Sequence, residues 1–275
     1  MNKQAKSPRS EKLPAKPRRF AKVPIRFLLP NIITLLAVCS GVTAIRLATE
    51  DRYELAVAAV ILACLLDALD GRVARMLKGA SKFGAELDSL ADFVNFGVAP
   101  AMLLYMWSLH SLKNIGWIVA LALAICCALR LARFNVAIDD PDKPPFAGKF
   151  FSGIPAPAGA LLAMAPMYLG FLGVITDGSS AAPFVLPFVA AVAAGIVSRI
   201  PTFSGKGSGQ QISRDKALPI VVTTVFAMIL LITYPWEMLT FLSVAYVVMI
   251  PVSMRSYHRQ DVAWKAQRKA AEPTA

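Results

Sequence analysis

The chain has 275 residues, 56% of them hydrophobic and only 17% charged, with a mean hydropathy of +0.57. Soluble domains run nearer half apolar and a quarter charged, so this balance excludes an ordinary soluble domain and predicts an integral membrane protein. The net charge of +12 comes from 29 basic against 17 acidic residues. Because the basic residues flank apolar runs, the excess reads as anchoring beside anionic lipid and not as nucleic-acid binding.

Residues 1–26 hold nine Lys or Arg, one Glu and several Pro, with almost no large apolar side chains. Such a stretch reads as a basic disordered tail. Apolar windows then recur at 28–48, 54–76, 83–106, 115–134, 155–175, 183–203, 217–234 and 236–254, each near the ~20 residues that cross a bilayer. Basic residues cluster in alternate connections: Arg75, Lys78 and Lys82; Arg130, Arg133, Lys143 and Lys149; Arg199, Lys206, Arg214 and Lys216; and the tail 255–275. The positive-inside rule therefore predicts an all-α bundle of about eight transmembrane helices with both termini cytoplasmic. The expected domain layout is a tail over 1–26, a transmembrane unit over 27–254 and a basic cytoplasmic tail over 255–275. Asp139 to Pro145 reads as a loop, and Phe203 to Gly209 as a flexible linker. Cys39, Cys64, Cys126 and Cys127 all lie in apolar stretches without Cys-x-x-Cys spacing, so they read as packing residues. His110 and His258 read as surface residues.

Four acids interrupt this apolar pattern. Asp67 and Asp70, with Ala74, fall at i, i+3 and i+7 and share one helix face; Asp88 and Asp92, at i and i+4, share another. The basic turn containing Lys78, Gly79 and Lys82 lets the two runs fold back as a helical hairpin. Bare charge in hydrocarbon costs several kcal/mol, so the cluster needs a partner, and a hard divalent cation held by oxygens suits it. Gly71, Ala74 and Gly84 leave room for a ligand to approach the backbone. Arg75 suits a phosphate oxygen. Acids, gap and arginine together describe a diphosphate-handling site at the cytoplasmic surface.

The spacing Asp67-x2-Asp70-Gly71-x2-Ala74-Arg75-x8-Gly84-x3-Asp88-x3-Asp92 resembles the signature of the CDP-alcohol phosphotransferase family at all eight fixed positions. Further runs look like the bacterial membrane-embedded branch of that family that forms phosphatidylserine. These are Leu29-Pro30-Asn31 to Thr34, Phe83 to Pro100, Arg130 to Asn135, and Phe151 to Pro157. The resemblance implies that Asp67, Asp70, Asp88 and Asp92 hold Mg or Mn, two ions in all, with Asp92 also the general base. It implies CDP-diacylglycerol and L-serine as substrates, membrane lipid as surroundings, a homodimer, and an inner-membrane enzyme whose active site faces the cytoplasm. Asn31, Thr34, Gly71, Ala74, Arg75, Ser81 and Gly84 would then face the nucleotide.

Zwitterionic serine needs a cation for its carboxylate and an acceptor for its ammonium. Arg130, Arg133 and Lys149 are the cationic candidates, and Asn95 or Asn135 the polar partner; each could instead be an anchor or a cap. Two rival readings are the same chemistry on another acceptor (glycerol phosphate, inositol phosphate or choline) and an ion-coupled transporter. The transporter has no need of the Gly71, Ala74 and Arg75 positions, and no internal repeat of the chain's two halves is apparent.

Overall fold

The computed structural model describes residues 25–77, 79, 81–137, 150–203 and 214–271. Residues 1–24 of the expected N-terminal tail, the Asp139–Pro145 loop, Lys149 and most of the Phe203–Gly209 linker lie outside these residues. The described chain is an all-α helix bundle. In order it runs α1 (Ile25–Thr49), α2 (Tyr53–Met76), α3 (Lys82–Asp92), a π-turn (Phe93–Val98), α4 (Ala99–Trp107), a 3-10 turn (Leu109–Leu112) and α5 (Lys113–Ala137). Then follow β1 (Phe150–Ser152), α6 (Ala156–Ala163), α7 (Ala165–Phe171), α8 (Gly178–Val197), β2 (Pro201–Phe203), α9 (Arg214–Thr233) and α10 (Pro235–Ala271).

Each of the eight apolar windows is mostly helical. Five stretches are long and apolar enough to cross a membrane: Leu28–Thr49, Lys82–Trp107, Leu109–Val136, Gly178–Val197 and Pro235–Val262. The other three depart for visible reasons. Helix α2 carries Glu54, Asp67, Asp70, Arg72 and Arg75. The 155–175 window breaks at Met164, because Pro166 at the start of α7 has no N–H to continue the ladder of α6. The apolar part of α9 is short, Val221–Thr233. The window at 183–203 ends as helix at Val197, and its last residues form β2 instead.

The strands β1 and β2 pair antiparallel, Phe151 opposite Thr202, and were not expected from the sequence. Gly153, which follows β1, has a φ of +80°, and a Cβ there would meet the Ile196 and Ser198 carbonyl oxygens at 2.6 and 2.7 Å. Only glycine fits that turn.

Helices α1 and α2 pack along their length through small residues: Ala37, Ala44, Ala48, Ala56 and Ala63 are all buried. Small side chains let backbones approach where water supplies no drive between helices. Ser40 Oγ closes the pair by donating to the Ala59 carbonyl at 2.7 Å. The main core adds Val57, Val60, Leu103, Leu104, Met164, Met167, Tyr168, Val189 and Ile196 from α2, α4, α6–α7 and α8. Large apolar residues such as Leu35, Leu62, Phe184 and Phe226 face outward, as a bundle in lipid requires. Helix α10 spans the bundle: Trp236 rests on Phe171 at one end, and Tyr257 meets Phe150 of β1 edge-on further along. The helix continues to Ala271, so the basic C-terminal stretch is largely helical.

Candidate active site

The acids gather as their helical spacing predicts. One carboxylate oxygen each from Asp67, Asp70 and Asp88 lie within 4.8 Å of one another. Asp92 stands beside this trio, its carboxyl within hydrogen-bonding reach of that of Asp67. Two bare carboxylates cannot keep that arrangement without something positive between them. Asp92 Oδ1 is buried and has no hydrogen-bond partner among the described residues. An all-oxygen donor set of this spread, with an acceptor oxygen left over, fits one or two hard divalent ions.

The runs do not form the simple two-helix hairpin expected. Helix α1 packs against both α2 and α3, and its N-terminal part fills the space between them. Thr34 Oγ1 donates to Asp70 Oδ2 at 2.6 Å, with the Pro30 carbonyl, 3.1 Å away, as its alternative acceptor. Both residues are buried, so the bond orients the Asp70 carboxylate.

A cavity of about 210 Å³ opens beside the trio, lined by all seven residues expected at the nucleotide: Asn31, Thr34, Gly71, Ala74, Arg75, Ser81 and Gly84. Asp70 and Asp88 line it too, and so do Pro30, Gly79 and Ala85, which were not among the residues expected at the nucleotide. Local chemistry shapes these walls. Ser81 is the N-cap of α3, its Oγ accepting from the Gly84 N–H at 3.0 Å. A Cβ on Gly84 would stand 3.1 Å from Asn31 Oδ1 and 3.2 Å from Ser81 Oγ, so glycine lets α1 and the cap converge. A Cβ on Gly71 would stand 3.6 Å from Arg75 Nη1, so the guanidinium folds back over the space beside Gly71.

Directly after Asp92 the helix widens into the π-turn, where the Ala99 N–H reaches the Val94 carbonyl. Pro100 has no N–H and its ring would press on the Phe96 carbonyl of a regular α-helix; the wider turn relieves this. Such turns recur at functional sites. Asn95 lies inside it, 1% exposed, with neither amide atom partnered among the described residues. Its Oδ1 lies against Gly41 of α1, where any side chain would collide with it.

The residues expected around the acceptor do not gather as one group. Arg130 is 8% exposed, its Nε lacks a hydrogen-bond partner among the described residues, and its charge acts on Asp92. Arg133 points elsewhere: Nη1 donates to the Val197 carbonyl at 2.7 Å, and Nη2 to those of Ser198 at 2.8 Å and Ser152 at 3.4 Å. It caps the C-terminal end of α8, where helix carbonyls lack partners. Asn135 Nδ2 donates to Ser89 Oγ at 2.9 Å in an exposed position, tying α5 to α3. These contacts give Arg133 and Asn135 structural roles, the cap and anchor readings that their sequence positions also allow. The polar neighbour that the sequence missed is Tyr246 of α10; its only signal was one hydroxyl in an apolar run.

The comparisons with known proteins converge on the same stretch. The profile of CDP-alcohol phosphatidyltransferase matches residues 27–197, and a related profile, CDP-alcohol phosphatidyltransferase 2, matches 217–251. A CDP-diacylglycerol–serine O-phosphatidyltransferase of Mycobacterium tuberculosis is 52% identical over 134 residues, covering 49% of this chain and 46% of the relative. Proteins of the same name from Helicobacter pylori (strain J99) and Bacillus subtilis are each 41% identical, over 136 and 120 residues. They cover 50% and 44% of this chain and 55% and 67% of the relatives. The chain thus spans about half the length of the mycobacterial relative it matches. Since the matched profile carries the acid-bearing helices, the cavity and the π-turn together, the chain belongs to the CDP-alcohol phosphatidyltransferase family.

Proposed function

We propose that the protein transfers the phosphatidyl group of CDP-diacylglycerol to the hydroxyl of L-serine, giving phosphatidylserine and CMP. One observation carries this reading: a cavity walled by Arg75, small residues and an N-cap serine opens directly onto the trio of carboxylates. The names of the relatives support serine as the acceptor.

Asp67, Asp70 and Asp88 would hold divalent ions, Mg or Mn, with Asp92 beside them. When bound, such ions neutralise charge on a diphosphate and on the CMP that leaves. Arg75 contacts a phosphate oxygen, and Gly71 and Ala74 leave space for ribose and base. Asn31, Thr34 and Ser81 offer polar atoms to the nucleotide. Asp92 accepts the proton of the serine hydroxyl as its oxygen bonds to the lipid-side phosphorus. The phosphorus–oxygen bond to CMP breaks in the same displacement. Arg130 would face the serine carboxylate; Asn95, three residues beyond Asp92 and without a hydrogen-bond partner among the described residues, offers a polar group as well. The site would lie at the inner leaflet facing the cytoplasm, in a homodimeric inner-membrane protein with both termini on that side.

The experiment is direct. Purified protein is given CDP-diacylglycerol, Mg or Mn, and in turn L-serine, glycerol phosphate, inositol phosphate and choline, and both CMP and the lipid formed are measured. Serine-dependent release of CMP with formation of phosphatidylserine supports the reading. Turnover with another alcohol alone, or none with any, overturns it.

A further inference from the structure

Beyond the nucleotide cavity the bundle encloses a second polar group, contributed by three helices. Asp92 ends α3, Arg130 lies on α5, and Tyr246 lies on α10, midway between the two aromatic contacts that hold that helix. Among the described residues, Asp92 Oδ1, Arg130 Nε and the Tyr246 hydroxyl are each buried without a partner in hydrogen-bonding geometry. Arg130 is within electrostatic reach of both others, and Thr202 of β2 is a further polar neighbour of the Tyr246 hydroxyl. The contrast with Arg133, one turn along α5, is informative: that guanidinium is bonded to three carbonyls, whereas the buried Nε of Arg130 has no hydrogen-bond partner among the described residues. Native interiors rarely leave several polar atoms orphaned in one place unless a ligand completes them.

The orphans have a definite polarity. Arg130 Nε and the Tyr246 hydroxyl can both donate, while Asp92 Oδ1 can accept. An amino-acid alcohol matches that order, with a carboxylate at one end and a hydroxyl and ammonium at the other. We propose that Tyr246 is a specificity-determining residue for the acceptor: its hydroxyl and Arg130 Nε together bind the acceptor's carboxylate. The acceptor's hydroxyl is thereby presented to Asp92. This rests on the serine reading and adds the last helix to the active site. An alcohol without a carboxylate leaves both donors unpaired and is rejected for that reason.

The test compares the full-length protein with Tyr246→Phe, which keeps the ring and removes one hydroxyl. Steady-state rates are measured with L-serine and with serinol, which lacks the carboxylate. The expected result is a KM for L-serine about ten-fold higher, as for one lost hydrogen bond to a charged group. The kcat and the KM for CDP-diacylglycerol should stay within about two-fold, and the preference for serine over serinol should shrink by the same factor as the KM rises. An unchanged serine KM in an otherwise serine-dependent enzyme overturns the role of Tyr246 alone. A parallel loss of kcat, of both KM values and of melting temperature also overturns it, since that is the mark of a packing residue. If the unmodified protein makes no phosphatidylserine, the serine reading falls and this inference falls with it.

Discussion

Thr34 Oγ1 donates to Asp70 Oδ2 across 2.6 Å, and this bond fastens the first helix to the acid-bearing face of the second. It also leaves Asp70 turned toward the carboxylates of Asp67 and Asp88.

Thr34→Val keeps the shape of the side chain and removes that donor. Loss of a bond that orients a metal-binding carboxylate typically weakens ion affinity by about 10–100-fold. Titrating activity against Mg and Mn should show the half-saturating concentration move by that factor. An unchanged titration would separate Thr34 from ion binding.

Asp92→Asn should retain nucleotide binding while turnover falls by about 10²–10⁴-fold, the usual loss when a general base is removed. Asp67→Ala or Asp88→Ala should lower ion affinity as well, because both contribute oxygens to the trio. CMP release and binding of a CDP-lipid, measured on the same preparations, distinguish the two outcomes. Near-normal turnover in Asp92→Asn would remove Asp92 from that role.

Arg133→Gln should lower stability by about 1–3 kcal/mol, the range for hydrogen bonds to a charged group whose partners lose their donor. The KM for serine should not move, because Arg133 is bonded to the Val197, Ser198 and Ser152 carbonyls. Melting in detergent alongside acceptor kinetics tests this; a raised serine KM at unchanged melting temperature would return Arg133 to the acceptor site.

Asp177 caps α8, accepting from the Ser180 hydroxyl at 2.6 Å and from the Ser180 and Ser179 N–H groups. The Ser180 hydroxyl, followed by these N–H groups, holds its carboxyl below the usual carboxylate range. A lowered native pKa contributes stability above the unfolded value near 4, and that contribution is lost as pH falls through the lowered value. The wild type should therefore melt above Asp177→Asn at pH 7, with the gap closing below about pH 4. A gap constant from pH 7 to pH 3 would show that charge at this cap is immaterial.

How much of this was legible in the sequence depended on how local each feature is. Helical periodicity puts Asp67 with Asp70 on one face and Asp88 with Asp92 on another, since i, i+3 and i+4 spacing fixes a face wherever a helix forms; that the two faces meet depends on how the helices pack. The cavity walls followed from the family resemblance of motifs around Asn31, Gly71 and Gly84. The carbonyl partners of Arg133 at the end of α8 were not legible because they lie more than sixty residues away, and an arginine at a helix end has the same sequence signature whether it caps, anchors or binds. The β1–β2 pair escaped notice because each strand is three residues long, too short for a period of two to register. Tyr246 was invisible for a different reason: a tyrosine in an apolar span carries no hint of which buried charge it will meet.

The π-turn at Phe93–Val98 has a consequence for how this helix can change. A residue added to a helical repeat shifts everything beyond it by about 100°, so the half bearing Asp88 and Asp92 and the half burying Leu103 and Leu104 keep separate phases. Selection can therefore re-aim the acids or regraft the packing face with little disturbance to the other. Deleting one residue within the turn would couple the two halves again, forcing either the carboxylates out of register or the leucines out of the core.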